Sequence, residues 1–272
     1  MDQKKDISFS KDKNGVATIT LNRPAKLNAF THDMIIRWLE FLAEANDDPN
    51  VKVVLLTGAG RGFCAGGDMD EISGRSQSQD SLERKNFLWH HGQKVPLAVE
   101  RLEKPLIVGI NGLARGAGCD MALMGDIRIA AESASFAWSY VGLGIISGNA
   151  GTYYLPRIVG MDRALELLWT GRTVTAQEAE RIRLVTRVVP DADLAAATLE
   201  LATRIAAQPE NAIQFYRRAA YQGQTQSLYS HLDMVSSHLA VLGTSRENRS
   251  RVEAFRESRR EARSSATDEG VK

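Results

Sequence analysis

Two hydrophobic periods divide the chain. Near the N-terminus apolar and polar residues alternate in Ile7-Ser-Phe-Ser and in Val16-Ala-Thr-Ile-Thr-Leu21, around the polar stretch Lys11-Asp-Lys-Asn-Gly15. A period of two with a glycine-ended turn predicts an antiparallel hairpin over 7–21. Over 34–46 the apolar positions recur at helical spacing, with Thr31 placed to cap that helix. The runs Val51-Lys-Val-Val-Leu-Leu56 and Leu106-Ile-Val-Gly-Ile110 have the length and branched content of buried strands. Shorter strands are predicted at 126–130, 135–137 and 185–189. Helical pattern covers 82–102, with a kink at Pro96, then a segment holding Tyr153, Tyr154 and Leu155, then 163–170 and 176–183. The C-terminal part reads as helices over 192–207, 211–222, 227–242 and 250–263. The polar segment 70–84 reads as a loop and 264–272 as a disordered tail. With no linker and no usable repeat, the pattern alone predicts an α/β protein that is not a simple doubly wound sheet.

Composition narrows the class. The chain has 272 residues, 43% apolar and 25% charged, enough to bury a large core. A formal net charge of +1 argues against a nucleic-acid-binding surface. Without an apolar run near 18 residues or a hydrophobic segment behind the polar N-terminus, no membrane partner is expected. Cys64 and Cys119 sit in apolar, glycine-rich surroundings and read as buried free thiols, which together suggest a cytoplasmic setting. The two cysteines and five scattered histidines carry no metal-ligand spacing, so no metal is expected.

The candidate chemistry lies in two glycine-rich stretches. Ile110-Asn-Gly-Leu-Ala-Arg-Gly-Ala-Gly-Cys-Asp120 places Gly112, Gly116 and Gly118 between a strand and a helical pattern. The first N–H groups of such a helix lack partners and, with the helix dipole, suit an anion or an oxygen that becomes one. The stretch is not GxxxxGK[ST], and no Ser or Thr follows for a metal-bound phosphate. Phe63-Cys-Ala-Gly-Gly-Asp68 forms a second glycine element after the 51–56 strand. Taken singly, either could be a tight turn without a ligand.

Together, in this order, they resemble the crotonase (enoyl-CoA hydratase/isomerase) superfamily, over about residues 15–187 and more weakly beyond. The resemblance implies a spiral of ββα turns over 1–190 carrying an acyl-CoA site, and helices over 191–263 that mediate a homotrimer or a dimer of trimers. It implies an oxyanion hole built from the N–H groups of Gly67 and Ala117, with an acyl-CoA thioester as partner. Coenzyme A would arrive as part of the substrate, with no separate cofactor. Lys26, Leu27 and Ala29, with Ala65 and Asp68, are the implied coenzyme A contacts; a solvated surface lysine is the other reading of Lys26.

The resemblance also implies catalytic positions. The first glutamate of the hydratases falls at Asp120, whose side chain is one methylene shorter and withdraws the carboxylate by ~1.5 Å. The second falls at Tyr140, and residues 137–151 contain no Asp or Glu. The carboxylate used by some isomerases and a dehalogenase-like branch falls at Gly148. Trp89 and His90, on a helix that carries acyl-group contacts in the family, join Trp138 and Gly148 as candidate acyl-pocket residues. The expectation is an enzyme stabilising a thioester enolate, by hydratase/isomerase-type chemistry on a bulky or cyclic acyl group, with Asp120 and Tyr140 as catalytic residues. Hydrolysis, decarboxylation, a dehalogenase-like reaction and a non-catalytic coenzyme A-binding protein are the alternatives.

Overall fold

The computed structural model describes residues 6–76 and 80–269. The predicted hairpin forms as β1 (Ile7–Lys11) and β2 (Val16–Leu21), antiparallel with Ile7 opposite Leu21. Its turn is held by Asp12, whose carboxylate accepts from the N–H groups of Asn14 and Val16. A 3-10 turn at Pro24–Lys26 leads to α1 (His32–Asp47), where Thr31 Oγ1 accepts from the Met34 N–H as predicted for its cap. The helix buries Met34, Ile35, Trp38, Phe41, Leu42 and Ala45, one apolar stripe at helical spacing.

From there one unit recurs three times: a longer apolar strand, a strand of three residues, then helix. The first has β3 (Val53–Gly58), β4 (Gly62–Cys64), α2 (Met69–Ser76), α3 (Ser81–His90) and α4 (Lys94–Arg101). The second has β5 (Leu106–Ile110), β6 (Leu113–Arg115) and α5 (Ala117–Leu123). The third has β7 (Ile127–Ala131), β8 (Ser135–Ala137), a 3-10 turn at Ser139–Leu143 and α6 (Gly151–Val159). After it come α7 (Met161–Thr170), β9 (Val174–Thr175), α8 (Ala176–Arg181), β10 (Arg187–Val189) and α9 (Leu194–Ala206). The longer strands build a sheet of order β1-β2-β3-β5-β7-β10, parallel from β2 onward. The short ones build a second sheet, β4-β6-β8-β9.

The central strands are covered on both faces, which explains their continuous apolar runs. Val54, Leu56 and Val108 point into the main core with Trp38, Phe41 and Val99, while Val53, Leu55 and Ile107 meet Leu201, Ala202 and Ile205 of α9. Because α9 closes the second face, the division of the chain falls between Ala207 and Gln208, not near 190 as read from sequence. The second unit consists of α10 (Glu210–Gly223), α11 (Leu228–Gly243) and α12 (Arg246–Glu269). No helix among the described residues is long and apolar enough to cross a membrane.

Several local readings change. Residues 70–84 are not one loop: α2 occupies the first part and α3 starts with a capping box between Asp80 and Glu83, with 77–79 outside the described residues. The helix predicted over 82–102 is two helices separated at His91–Gln93, and Pro96 sits in the first turn of α4, where its missing N–H had no intrahelical partner to lose. The last helix starts at Arg246 and continues to Glu269, where the sequence predicts a tail from 264; residues 270–272 lie outside the described residues. The three-residue strands β4 and β6 were hidden inside glycine-rich turns, too short for a period to register.

Candidate functional site

Strands β3 and β5 end side by side, with Thr57 Oγ1 donating to the Gly109 carbonyl at 2.9 Å. Beyond them the turn 58–62 is tied down by two asparagines. Asn28 Nδ2 donates to the carbonyls of Ala59 (2.9 Å) and Gly62 (2.7 Å), and its Oδ1 accepts from the Arg23 N–H at 2.8 Å. Asn111 Nδ2 donates to the Gly60 carbonyl at 2.8 Å, while its Oδ1 accepts from the Gly58 N–H. Asn28 is fully buried and has a φ of 56°, a left-handed conformation that asparagine tolerates better than most residues. Replacing Asn28 by alanine removes three hydrogen bonds, leaving the Gly62 carbonyl to Asn111, and is expected to destabilise the fold by about 3 kcal/mol. Urea unfolding measures this, and a loss below about 1 kcal/mol would show that water takes over the lost bonds.

With the turn fixed, the two glycine-rich elements meet. A Cβ at Gly118 would lie 2.1 Å from the Cys64 carbonyl oxygen, so the start of α5 rests directly on the 64–67 loop. Gly66, at a φ of 95°, would place a Cβ 2.9 Å from the Arg115 carbonyl oxygen and 3.5 Å from the Ala117 nitrogen. The backbone around Gly67 is pinned by Phe30, which donates to the Gly66 carbonyl and accepts from the Asp68 N–H, both at 2.9 Å. Among the described residues, neither the Gly67 N–H nor the Ala117 N–H has an acceptor. Gly67 is half-buried and Ala117 lies at the start of α5. The two unsatisfied donors thus lie on adjacent loops packed directly against each other.

The implied coenzyme A contacts divide into surface and support. Lys26 is exposed and pairs with Asp70 Oδ2 at 3.0 Å. Leu27, at a φ of 49°, accepts the Ala65 N–H through its carbonyl, and the Ala29 carbonyl accepts from Arg23 Nη1. Asp68 departs from the sequence reading: it is buried, receives Arg23 Nη1 on Oδ2 at 2.9 Å, and accepts from the Asp70 N–H on Oδ1 at 3.0 Å. The Arg23 guanidinium holds its carboxyl below the usual carboxylate range despite burial. The Asp68 side chain therefore braces the loop and the start of α2.

One turn into α5 lies Asp120, fully buried. Trp138 Nε1 donates to its Oδ1 at 3.1 Å; the Tyr140 hydroxyl and Ser147 Oγ each donate to Oδ2 at 2.7 Å. Burial pushes the carboxyl up, opposed by the donors from Tyr140, Ser147, Trp138 and the Asn149 N–H. Burial and then the neighbouring Asp120 charge keep the Tyr140 phenol protonated, so Tyr140 acts here as a donor and not as a free base. The Tyr140 ring is half-buried and lies 3.7 Å from where a Cβ would stand on Gly116, next to Ala117. The Asp120–Tyr140 pair and the two free N–H groups therefore share one neighbourhood.

The four acyl-pocket candidates fare differently. Trp138 is wholly buried, its ring in the main core and its N–H spent on Asp120, so it lines no open pocket. Gly148 accepts Gln93 Nε2 through its carbonyl and is covered by Leu88, whose Cδ2 lies 3.2 Å from a Cβ position there. Trp89 is about half exposed, and His90 faces solvent. The next residue, His91, turns inward instead, and its ring contacts Phe87 and His32. The apolar side chains beside the site are Ile72, against Gly67, and Leu88, against Gly148, both partly exposed. The sequence did not single out Ser147, Arg23 or Asn28 as contributors, because their partners Asp120, Asp68 and Ala59 lie 27, 45 and 31 residues away along the chain. Both cysteines are buried and unpaired as expected, and burial pushes the Cys64 thiol up to about 12.

The family described as enoyl-CoA hydratase/isomerase matches residues 11–263. A 1,2-epoxyphenylacetyl-CoA isomerase of Escherichia coli is 37% identical over 249 residues, covering 89% of this chain and 92% of that protein. A crotonyl-CoA hydratase of Syntrophomonas wolfei is 34% identical over 246 residues, covering 90% and 93%. The crystal structure of an enoyl-CoA hydratase from Bacillus anthracis superposes with a TM-score of 0.88 at 33% identity, covering 93% of this chain and 97% of that one. The chain belongs to the enoyl-CoA hydratase/isomerase family, the crotonase superfamily, and is an enzyme of that family. Its repeated ββα units and paired sheets are the crotonase fold.

Proposed function

We propose that the site binds an acyl-CoA thioester with its carbonyl oxygen between the N–H groups of Gly67 and Ala117, and moves a proton along the acyl chain. Each preorganised donor of this kind typically contributes ~2.7–4 kcal/mol to stabilising the enolate oxygen. The observation that carries this reading is Asp120, a buried carboxylate held only by neutral donors beside the two free N–H groups. Shifting a double bond requires one group that takes a proton from one carbon and returns it to another. Adding water requires activating the water and protonating the α-carbon, work that two carboxylates divide. The site thus favours isomerisation within the family's range. Tyr140, more accessible than Asp120, hands its hydroxyl proton to the carboxylate as it takes one from the substrate, so no free phenolate forms.

Ile72 and Leu88 support an apolar acyl group, and the name of the Escherichia coli relative supports a bulky or cyclic one. Lys26 is available to a coenzyme A phosphate once it leaves Asp70. Exposed Tyr216, Leu228, Tyr229 and Leu239 on α10 and α11 support assembly into trimers through the C-terminal helices. The test is a panel of straight-chain enoyl, β-keto, aromatic and alicyclic acyl-CoA thioesters incubated in D2O and read by liquid chromatography with mass spectrometry. Isomerisation gives a separated product without added water, its mass unchanged where the carried proton returns directly and raised by deuterium where it exchanges, the expected result for a cyclic or aromatic member. Net gain of water would make the chain a hydratase, and binding with neither a new product nor exchange would remove the enzymatic role of Asp120.

A further inference from the structure

Ser147 stands where the third repeat folds back onto α5. It is buried, its Oγ donates to Asp120 Oδ2 at 2.7 Å, and the same oxygen accepts from the Gly151 N–H at 2.9 Å. Gly151 opens α6, and a Cβ there would lie 2.0 Å from Asp120 Oδ1 and 2.6 Å from Ser147 Oγ, so the helix start abuts the carboxylate. A hydroxyl has one proton. With its oxygen held by an amide, the Ser147 hydroxyl directs its proton to Asp120 Oδ2, with the Tyr140 hydroxyl as its other near neighbour. Tyr140 donates to that same Oδ2, so two hydroxyls converge on one oxygen, while the Trp138 indole N–H meets the other.

We propose that Ser147 is a positioning residue: it clamps the Asp120 carboxylate between α5 and α6 with Oδ2 turned to Tyr140, and keeps it able to accept a proton. This rests on the role proposed above for Asp120. The position also has an electrostatic side. Burial favours the neutral carboxyl, and each donor to Oδ2 favours the ionised one. The titratable groups facing Asp120 among the described residues are the Tyr140 phenol from the 3-10 turn and the Cys119 thiol on its own helix, both pushed up by burial. The 147–151 segment contributes only the Ser147 hydroxyl and the N–H of Asn149. Ser147 is thus one of few groups set against desolvation.

The test titrates Asp120 directly, without a substrate. The protonated-carboxyl band is followed by infrared difference spectroscopy against pH in the whole protein, and assigned by its loss in Asp120→Asn. Ser147→Ala is expected to raise the midpoint by about one pH unit, and Ser147→Thr, which keeps the hydroxyl, to restore it. With an active thioester, Ser147→Ala is expected to lower kcat ~10- to 100-fold with KM little changed. An unchanged midpoint in a Ser147→Ala protein that melts like the wild type overturns the proposal. So does a Ser147→Thr protein of unaltered melting temperature whose midpoint stays displaced. A displaced and restored midpoint in a protein that turns over no thioester would leave Ser147 as the clamp and remove the proposed reaction instead.

Discussion

Replacing Asp120 by asparagine is expected to remove turnover while leaving the chain folded, with a melting temperature at neutral pH equal to or above that of the wild type. The two effects have separate causes. Loss of the only carboxylate in the cluster removes the proton acceptor, and general acid–base groups typically contribute 10²–10⁴-fold. The fold tolerates the amide because its neighbours can adapt. Trp138 Nε1 only donates, so the asparagine oxygen must take the Oδ1 place; the new NH2 then faces the hydroxyls of Tyr140 and Ser147, which can accept as readily as donate.

The sign of the stability change follows from the direction of the shift. The folded-state pKa of Asp120 is raised, so the folded protein holds that proton more tightly than the unfolded chain. Stability from this site is present at low pH and lost as pH rises through the folded pKa, where a buried group must ionise. Asparagine carries no such charge. Differential scanning calorimetry across pH checks the stability and the thioester panel checks turnover. An Asp120→Asn protein with wild-type turnover would end the assignment of Asp120 as proton carrier. In the wild type, kcat/KM is expected to fall as pH drops through the same ionisation, because the protonated carboxyl cannot accept.

The second large effect is expected at Gly118. An alanine there would put its Cβ 2.1 Å from the Cys64 carbonyl oxygen, closer than atoms in a folded protein approach, and both partners are backbone. The 64–67 loop and the start of α5 must separate by roughly 1 Å, moving the Gly67 and Ala117 N–H groups apart; a misplacement of that size can reduce the rate by ~10²-fold. Overpacking of this kind also destabilises by about 1–3 kcal/mol. Thermal melts together with steady-state rates separate the two effects. Gly142, where a Cβ would meet nothing within 4 Å, is the control, and Gly142→Ala is expected to behave as wild type. Full turnover in Gly118→Ala would show that this close contact does not set the spacing of the two donors.

Much of the site's backbone could be read before any coordinates. Gly66 and Gly118 announce close approach of main chain to main chain, and the order of the two glycine-rich elements identifies the family. The side chains were harder. His90 and His91 are neighbours on one pattern, and only packing against His32 and Phe87 decides which turns inward. Trp138 has the composition of a pocket residue, yet its burial and its bond to Asp120 place it in the core. Asp68 lies inside the family motif, and it is Arg23, 45 positions away, that makes it a brace.

The sequence by itself determined the longer strands, most of the helices, the Thr31 cap and the backbone turns that carry the free N–H groups. These depend on local period, local propensity and the small size of glycine, all of which act over a few residues. The tertiary structure alone decided the second sheet, because strands of three residues are too short to show a period and form only where a neighbouring strand is already in place. It alone assigned α9 to the core, since a helix's apolar stripe does not say which sheet it covers. And it alone assembled the environment of Asp120, whose partners lie 18, 20 and 27 residues along the chain and come together only when the third repeat packs against the second.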